Sequence, residues 1–370
     1  MQTVSQISAQ DPTNSKSEEK LIAALHSLAE VTPNSSPLIS CFVNLDSTRA
    51  NAIKDLERQA TEVSKRLPGK RRNDFDDAFD EIREHLVKEL SRSARSVAIY
   101  CRWGTQPFFN AIEFQVPLET KLIVDSHPHI YPIIETKDTY HRFAIVIVTE
   151  TEARIVETLV GAITREIFAK RPELRERLGR EWTREHYQNH KRDRNKRFLQ
   201  TKVRIVDDIM QQRGHNHLVV AGSPKMVSRF TDALPDRLRA KILTTLYANP
   251  SNGIYPIVQQ SIELFAANEH VESHDRVAEL ENAILSTGLG VAGVEATREA
   301  LLNGYADMLI IDADFEIPSV REDLVRLATR AGVEIETVRQ SQSLARLSGV
   351  GCLLRYRPNP ADATDETLVA

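Results

Sequence analysis

Between Lys170 and Arg197 the sequence reads KRPELRERLGREWTREHYQNHKRDRNKR. Eleven Lys/Arg (Lys170, Arg171, Arg175, Arg177, Arg180, Arg184, Lys191, Arg192, Arg194, Lys196, Arg197) face five acids (Glu173, Glu176, Glu181, Glu185, Asp193). Eleven minus five leaves +6, inside a chain whose net charge is −4. Such side chains release counterions when they meet phosphate, the main driving force of sequence-independent nucleic-acid binding. Trp182, His186, Tyr187 and His190 lie among the charges and could stack on unpaired bases. Segment 188–196, which includes Gln188 and Asn189, has no apolar residue and is expected to be exposed. The candidate RNA contacts are therefore Arg175, Arg177, Arg180, Arg184, His186, Tyr187, Gln188, Asn189, His190, Lys191, Arg192, Arg194, Lys196 and Arg197. The competing reading is a solvated helix with i,i+4 ion pairs, Glu173 with Arg177 and Glu176 with Arg180. It fits 171–180 well and 186–197 poorly. A second basic cluster, Lys65, Arg66, Lys70, Arg71 and Arg72, lies around Pro68-Gly69 between two expected helices.

Other constellations are weaker. Gly288-Leu-Gly290-Val-Ala-Gly293 matches G-x-G-x-x-G, with Asp312 about twenty residues on, but a helical pattern over 276–287 stands where a dinucleotide site needs a strand. A glycine link capping one helix and starting the next is the better reading. His186 and His190 are spaced as zinc ligands on a helix can be, without the Glu of H-E-x-x-H and without a nearby Cys. His127-Pro-His129 sits in a proline-bent loop. Neither a G-x-S-x-G elbow nor a Walker A loop occurs. No catalytic residue, metal site or cofactor is assigned.

A length of 370 residues is expected to hold two or three domains. No run reaches the ~18 apolar residues of a membrane helix. The N-terminal stretch has no secretory pattern, and Cys41, Cys101 and Cys352 are odd in number and far apart. The expectation is a cytoplasmic protein with no membrane and no DNA partner, because the acidic total argues against a general DNA-coating role.

The elements that must carry the basic stretch follow from periodicity. Residues 1–17 are polar and read as a disordered tail. A helix starts near Ser17 with Leu21, Ile22, Leu25 and Leu28 on one face. LISCFVNL (38–45) reads as a buried strand, 50–67 as a polar helix, and Phe75, Phe79, Ile82, Leu86 and Leu90 as a helix stripe. Strands follow at 96–103 and 108–116, then a loop over 126–134. RFAIVIVT (142–149) and ARIVETLVG (153–161) read as paired strands. After the basic loop 170–197 come a helix from Phe198 to Gly214, a strand at 217–223 and further helix over 234–246. A long helix spans about 256–286. The remainder alternates: helix 295–303, strand 306–314, helix 320–331 opened by a Ser319…Glu322 capping box, strand 333–338 and strand 351–357. The domains are expected at 18–140, 141–267 and 268–358, with a loose tail over 359–370. Such alternation implies α/β layers.

GLGVAGVEATREALLNGYADMLIIDADF, LVRLATRAGVEIETV and SGVGCLLRYR resemble the C-terminal domain of the archaeal and eukaryotic class-one release factor and Pelota family. Val350 and Cys352 depart from its pattern. RFAIVIVTETEARIVETLVG resembles the opening hairpin of that family's middle domain. SARSVAIYCRWG and HPHIYPII look like its bacterial branch, which includes Pelota-like hibernation factors. The resemblance implies three α/β domains in a tRNA-mimic arrangement, ending in an α/β sandwich of the release factor/Pelota type.

The resemblance also implies roles. The first domain would face the decoding centre, with Lys65, Arg66, Lys70, Arg71 and Arg72 on small-subunit RNA. The middle domain would reach the peptidyl transferase centre, and the third would dock a translational GTPase. Partners would be the bacterial 70S ribosome and elongation factor Tu. Release factors carry Gly-Gly-Gln in the middle-domain loop; here the equivalent span has one glycine, Gly179, and Gln188 lies in Tyr-Gln-Asn. The expectation is ribosome hibernation or protection from the vacant A site without catalysis. The alternatives are a peptidyl-tRNA-hydrolysing release or rescue factor using Gln188 or His190, and an RNA-binding protein or nuclease acting off the ribosome. Asn51-Ala-Ile-Lys54 matches Asn-Ile-Lys-Ser only superficially and reads as helix surface.

Overall fold

The computed structural model describes residues 7–10, 15–46, 48–91, 94–150, 152–160, 162–170, 184–212, 215–247 and 253–356. In chain order the elements are β1 (Ile7–Gln10), α1 (Ser15–Glu30), β2 (Leu38–Asn44), α2 (Arg49–Arg66), α3 (Gly69–Lys88), β3 (Ser96–Arg102), β4 (Phe108–Phe114), β5 (Lys121–Asp125) and α4 (Tyr131–Thr139). Then come β6 (Phe143–Val148), β7 (Glu152–Leu159), β8 (Ala162–Lys170), α5 (Arg184–Gln212), β9 (Leu218–Gly222), α6 (Pro224–Ala233), α7 (Asp236–Arg239), β10 (Ile242–Tyr247) and α8 (Tyr255–Asn282). A π turn, Ala283–Thr287, leads to β11 (Gly290–Ala292), α9 (Val294–Leu302), β12 (Ala306–Asp312), α10 (Pro318–Ala331), β13 (Glu334–Val338), α11 (Gln342–Arg346) and β14 (Val350–Leu354).

The chain forms two compact units: residues 1–18 with Tyr140–Asn268, and Glu19–Thr139 with Glu269–Ala370. In the first, a six-stranded sheet runs β1-β8-β7-β6-β9-β10. The apolar run Phe143–Val148 is central, parallel to β9 and antiparallel to β7. Val206, Ile209 and Met210 of α5 and Met226, Val227 and Phe230 of α6 cover one face, against Val146, Ile155 and Val220. Phe143 stacks on Phe265 of α8 at 4.3 Å.

The second unit holds two four-stranded sheets. β4-β3-β2-β5 is antiparallel throughout, and Leu56, Phe75, Ile82 and Leu86 of α2 and α3 pack on Ile39, Cys41, Val97 and Ile99. In β11-β14-β12-β13, β14 inserts antiparallel beside β12, while β12 and β13 are parallel. All three cysteines are buried and free. Gly332, at φ 64, ends α10 as a left-handed cap. Gly288 (φ 64) and Gly293 (φ 86) serve as the glycine link, with β11 between them.

Polar contacts join the two sheets of this unit. The buried Glu322 carboxylate of α10 accepts from the backbone N–H of Ile130 (2.5 Å) and Tyr131 (3.3 Å), the start of α4. His129 lies 3.0 Å from Asp125 and 3.7 Å from Glu322. Arg330 donates to the Ala29 carbonyl, Arg339 pairs with Glu135, and Thr337 donates twice to Asp138.

Several expectations need correction. Ile7–Gln10, placed in a disordered tail, pairs antiparallel with β8; residues 1–6 and 11–14 and the tail 359–370 lie outside the described residues. The loop 126–134 gives way to α4 at Tyr131, where Pro132 occupies the first turn, which needs no N–H from it. The Leu238-Ile242-Leu246 spacing matched a helix, but Ile242–Tyr247 is a strand parallel to β9. Its β-branched Ile242, Thr244 and Thr245 suit a pleated surface. Ser319 and Glu322 form no capping box: the cap residue of α10 is Ile317, and Glu322 caps α4 instead.

Glycine at 351 is fixed by contact. A Cβ there would stand 2.6 Å from the Val291 carbonyl oxygen and 2.7 Å from Leu280 Cδ2. Gly351→Ala is expected to destabilise this unit by about 1–3 kcal/mol, as overpacking does, read from urea denaturation. An unchanged midpoint would show that β11 can give way.

Candidate nucleic-acid interface

The basic stretch is carried by one helix. α5 runs unbroken for 29 residues, about 43 Å at 1.5 Å per residue. Its second half is anchored: Val206, Ile209 and Met210 are buried, and Leu199, Val203 and Ile205 pack partly against the same core. Lys202 is 1% exposed, with its ammonium 3.7 Å over the Phe198 ring. Burial lowers its pKa to about 8. Sequence reasoning missed this lysine because a cation inside an apolar stripe looks like surface.

The charge changes along the helix. Residues 184–197 hold six Lys/Arg and two acids, six minus two giving +4. Residues 198–212 hold Lys202, Arg204, Asp207 and Asp208, two minus two giving zero. The part that packs on the sheet is neutral, and the part before it is basic. Lys196 and Arg197 are exposed.

The loop expected over 170–197 is therefore corrected for its second half. Arg184, His186, Tyr187, Gln188, Asn189, His190, Lys191, Arg192, Arg194, Lys196 and Arg197 are all helical. Arg and Gln are good helix formers, and no Gly or Pro follows Arg184 before Gly214. Arg175, Arg177 and Arg180 lie outside the described residues, as do the pairs Glu173–Arg177 and Glu176–Arg180. The helix has a chemical consequence. From residue 188 onward the backbone N–H groups are committed to carbonyls four residues back. Those at Gln188, Asn189 and His190 are not available to an ester oxyanion.

The second cluster stands on α2 and α3, with only Leu67 and Pro68 between the helices. Lys65, Arg66, Lys70, Arg71 and Arg72 are exposed. Lys65 pairs with Glu62 at 2.9 Å; Arg72 lies 3.8 Å from Asp76 and donates to Ser64 at 3.2 Å. Lys70 and Arg71 have no ion pair among the described residues. Asp74, Asp76 and Asp77 follow directly, so the positive surface is confined to the helix tips.

Residues 128–256, which take in α4 to β10 and the basic part of α5, match the model of bacterial archaeo-eukaryotic release factor family 10. Over those residues the chain is similar to that family. No curated protein matches it. Among solved structures, archaeal translation termination factor aRF1 matches at 16% identity and TM-score 0.29, over 92% of this chain and 98% of that one. Archaeal Pelota, in a model of its ribosome-bound form with ABCE1, matches at 12% and 0.43, over 91% and 95%. Archaeoglobus fulgidus Pelota matches at 15% and 0.38, over 73% and 83%. Among the described residues no helix is long and apolar enough to cross a membrane.

Proposed function

We propose that this protein binds the ribosome through the basic part of α5 and occupies the vacant A site as a hibernation or protection factor, without catalysis. The observation that carries the reading is the charge step along α5, +4 before Phe198 and zero after it, within the stretch that matches the family. A helix anchored at one end and basic at the other offers a phosphate-binding arm on a fixed support. The bacterial hibernation factor Balon is the type of such behaviour in this branch. In the same reading the Lys65–Arg72 cluster faces small-subunit RNA, and the third segment docks a translational GTPase, elongation factor Tu. The resemblance of residues 288–357 supports that last step.

The absence of catalysis rests on two features. The span 162–212 holds only Gly179 as glycine, and Gln188 sits in a helix. Glycine is what lets a backbone approach an ester closely, and the developing charge needs free, aimed donors. In an assay with peptidyl-tRNA-loaded 70S ribosomes, the protein is expected to co-sediment with the ribosomes and release no peptide above background at saturation. Gln188→Ala should leave occupancy nearly unchanged. Peptide release that is present in the wild type and lost in Gln188→Ala would favour the rescue-factor reading. Failure to co-sediment would favour action off the ribosome.

A further inference from the structure

Three carboxylates far apart in sequence meet in the second unit. Asp138 ends α4, Glu269 lies on α8 and Glu336 on the edge strand β13, and one oxygen of each lies within 4.8 Å of the others. Glu269 is 8% exposed and Glu336 9%. The Glu336 side chain makes no hydrogen bond or ion pair among the described residues, and its carboxylate lies with the other two. Asp138 is held in place: the Thr337 backbone N–H and hydroxyl each donate to its Oδ2 at 2.6 Å.

We propose that Asp138, Glu269 and Glu336 form a divalent-cation site that ties α4, α8 and β13 together. Buried carboxylates at this spacing repel unless a positive charge joins them. The charged groups facing them are Lys137, Arg276, Glu272 and Glu334, which with the triad makes two cationic groups against five anionic ones. Burial first, and then mutual repulsion, pushes the triad's carboxyls above the ordinary range. An all-oxygen donor set selects hard cations. Across a calcium-sized ion, two ligand oxygens at 2.3–2.6 Å stand at most about 4.6–5.2 Å apart. Three carboxylate oxygens within 4.8 Å of one another suit calcium's flexible shell, while magnesium demands near-ideal octahedral geometry and gives up its waters reluctantly. The two Thr337 bonds orient a ligand from behind, as metal sites commonly require. A cavity of about 300 Å³, lined by Ile22, Leu25, Lys137, Asp138 and Glu334 among others, opens beside Asp138 and gives an ion and its waters a way in.

The test uses the full-length protein, with CaCl2 and MgCl2 in titration calorimetry and Mn²⁺ in electron paramagnetic resonance. One ion per chain is expected, with Ca²⁺ tighter than Mg²⁺ and a rise in thermal midpoint on adding Ca²⁺. Glu336→Gln is nearly isosteric and relieves repulsion, so it should fold as the wild type by circular dichroism. Loss of even a second-layer partner costs 10–100-fold in metal affinity, so this variant should bind at least about tenfold more weakly. Asp138→Asn should show the same loss. Absence of Ca²⁺ and Mn²⁺ binding by the wild type at millimolar ion would overturn the site, as would wild-type affinity in both variants.

Discussion

Replacing Lys191, Arg192, Arg194, Lys196 and Arg197 with glutamine is expected to weaken ribosome binding at low salt and to remove about 10²–10³-fold of the affinity that the wild type loses across a fourfold rise in salt. Each phosphate contact contributes a slope of about −0.9 in log affinity against log salt for a duplex. Five lost contacts flatten the slope by up to about 4.5, and a fourfold salt change spans about 0.6 log units, which gives that range. The wild type should therefore lose affinity steeply between about 50 and 200 mM salt, and the variant far less. The fold should survive. Lys196 and Arg197 are exposed, the buried anchor of α5 is Val206, Ile209 and Met210, and glutamine is itself a good helix former. Pelleting 70S particles at a series of salt concentrations measures the slope, and circular dichroism checks the helix. An unchanged slope with an intact spectrum would remove α5 from the interface.

That variant tests a feature that was legible in the sequence as charge and illegible as shape. Continuous apolar runs such as Phe143–Val148, and stripes such as Phe75-Ile82-Leu86, announce buried strands and amphipathic helices because burial imposes their period. Residues 184–197 lack any apolar member in their polar half, so no period marks the helix. Its continuity with the anchored part is what extends it. Ile242–Tyr247 failed for the opposite reason: apolar residues four apart fit a helix, while the neighbour that decides the matter, β9, is more than twenty residues away in sequence. Glu322 shows the same limit for polar groups. Ser319 and Glu322 have the spacing of a local cap, yet the N–H groups that Glu322 satisfies belong to Ile130 and Tyr131. The Asp138, Glu269 and Glu336 triad has no local signature at all, because its members come from three elements that only tertiary packing brings together.

Breaking the buried pair at the far end of α5 is expected to destabilise its unit by about 3–5 kcal/mol. His215 Nε2 and Glu157 Oε1 are 2.6 Å apart, and the two side chains are 0% and 1% exposed. Glu157 sits on β7, and His215 follows α5, where its backbone N–H donates to the Met210 carbonyl at 3.1 Å. Lys241, which precedes β10, donates to the His215 carbonyl at 2.6 Å. The pair thus ties the chain just after α5 to β7. His215→Ala removes the imidazole from the fully buried Glu157 carboxylate, and taking one partner from a buried pair costs more than the pair itself contributes. Replacing both together, Glu157→Leu with His215→Phe, removes the charge as well as its partner and should recover most of the loss, since apolar groups of similar volume often substitute for a buried pair at little cost. Urea unfolding of the two singles and the double closes the cycle and isolates the coupling. Because the basic part of α5 depends on this anchor, His215→Ala should also weaken ribosome pelleting at temperatures where the unit begins to open, while the double variant should not. Equal losses in the single and double variants would show that the site depends on packing volume and not on the polar pair.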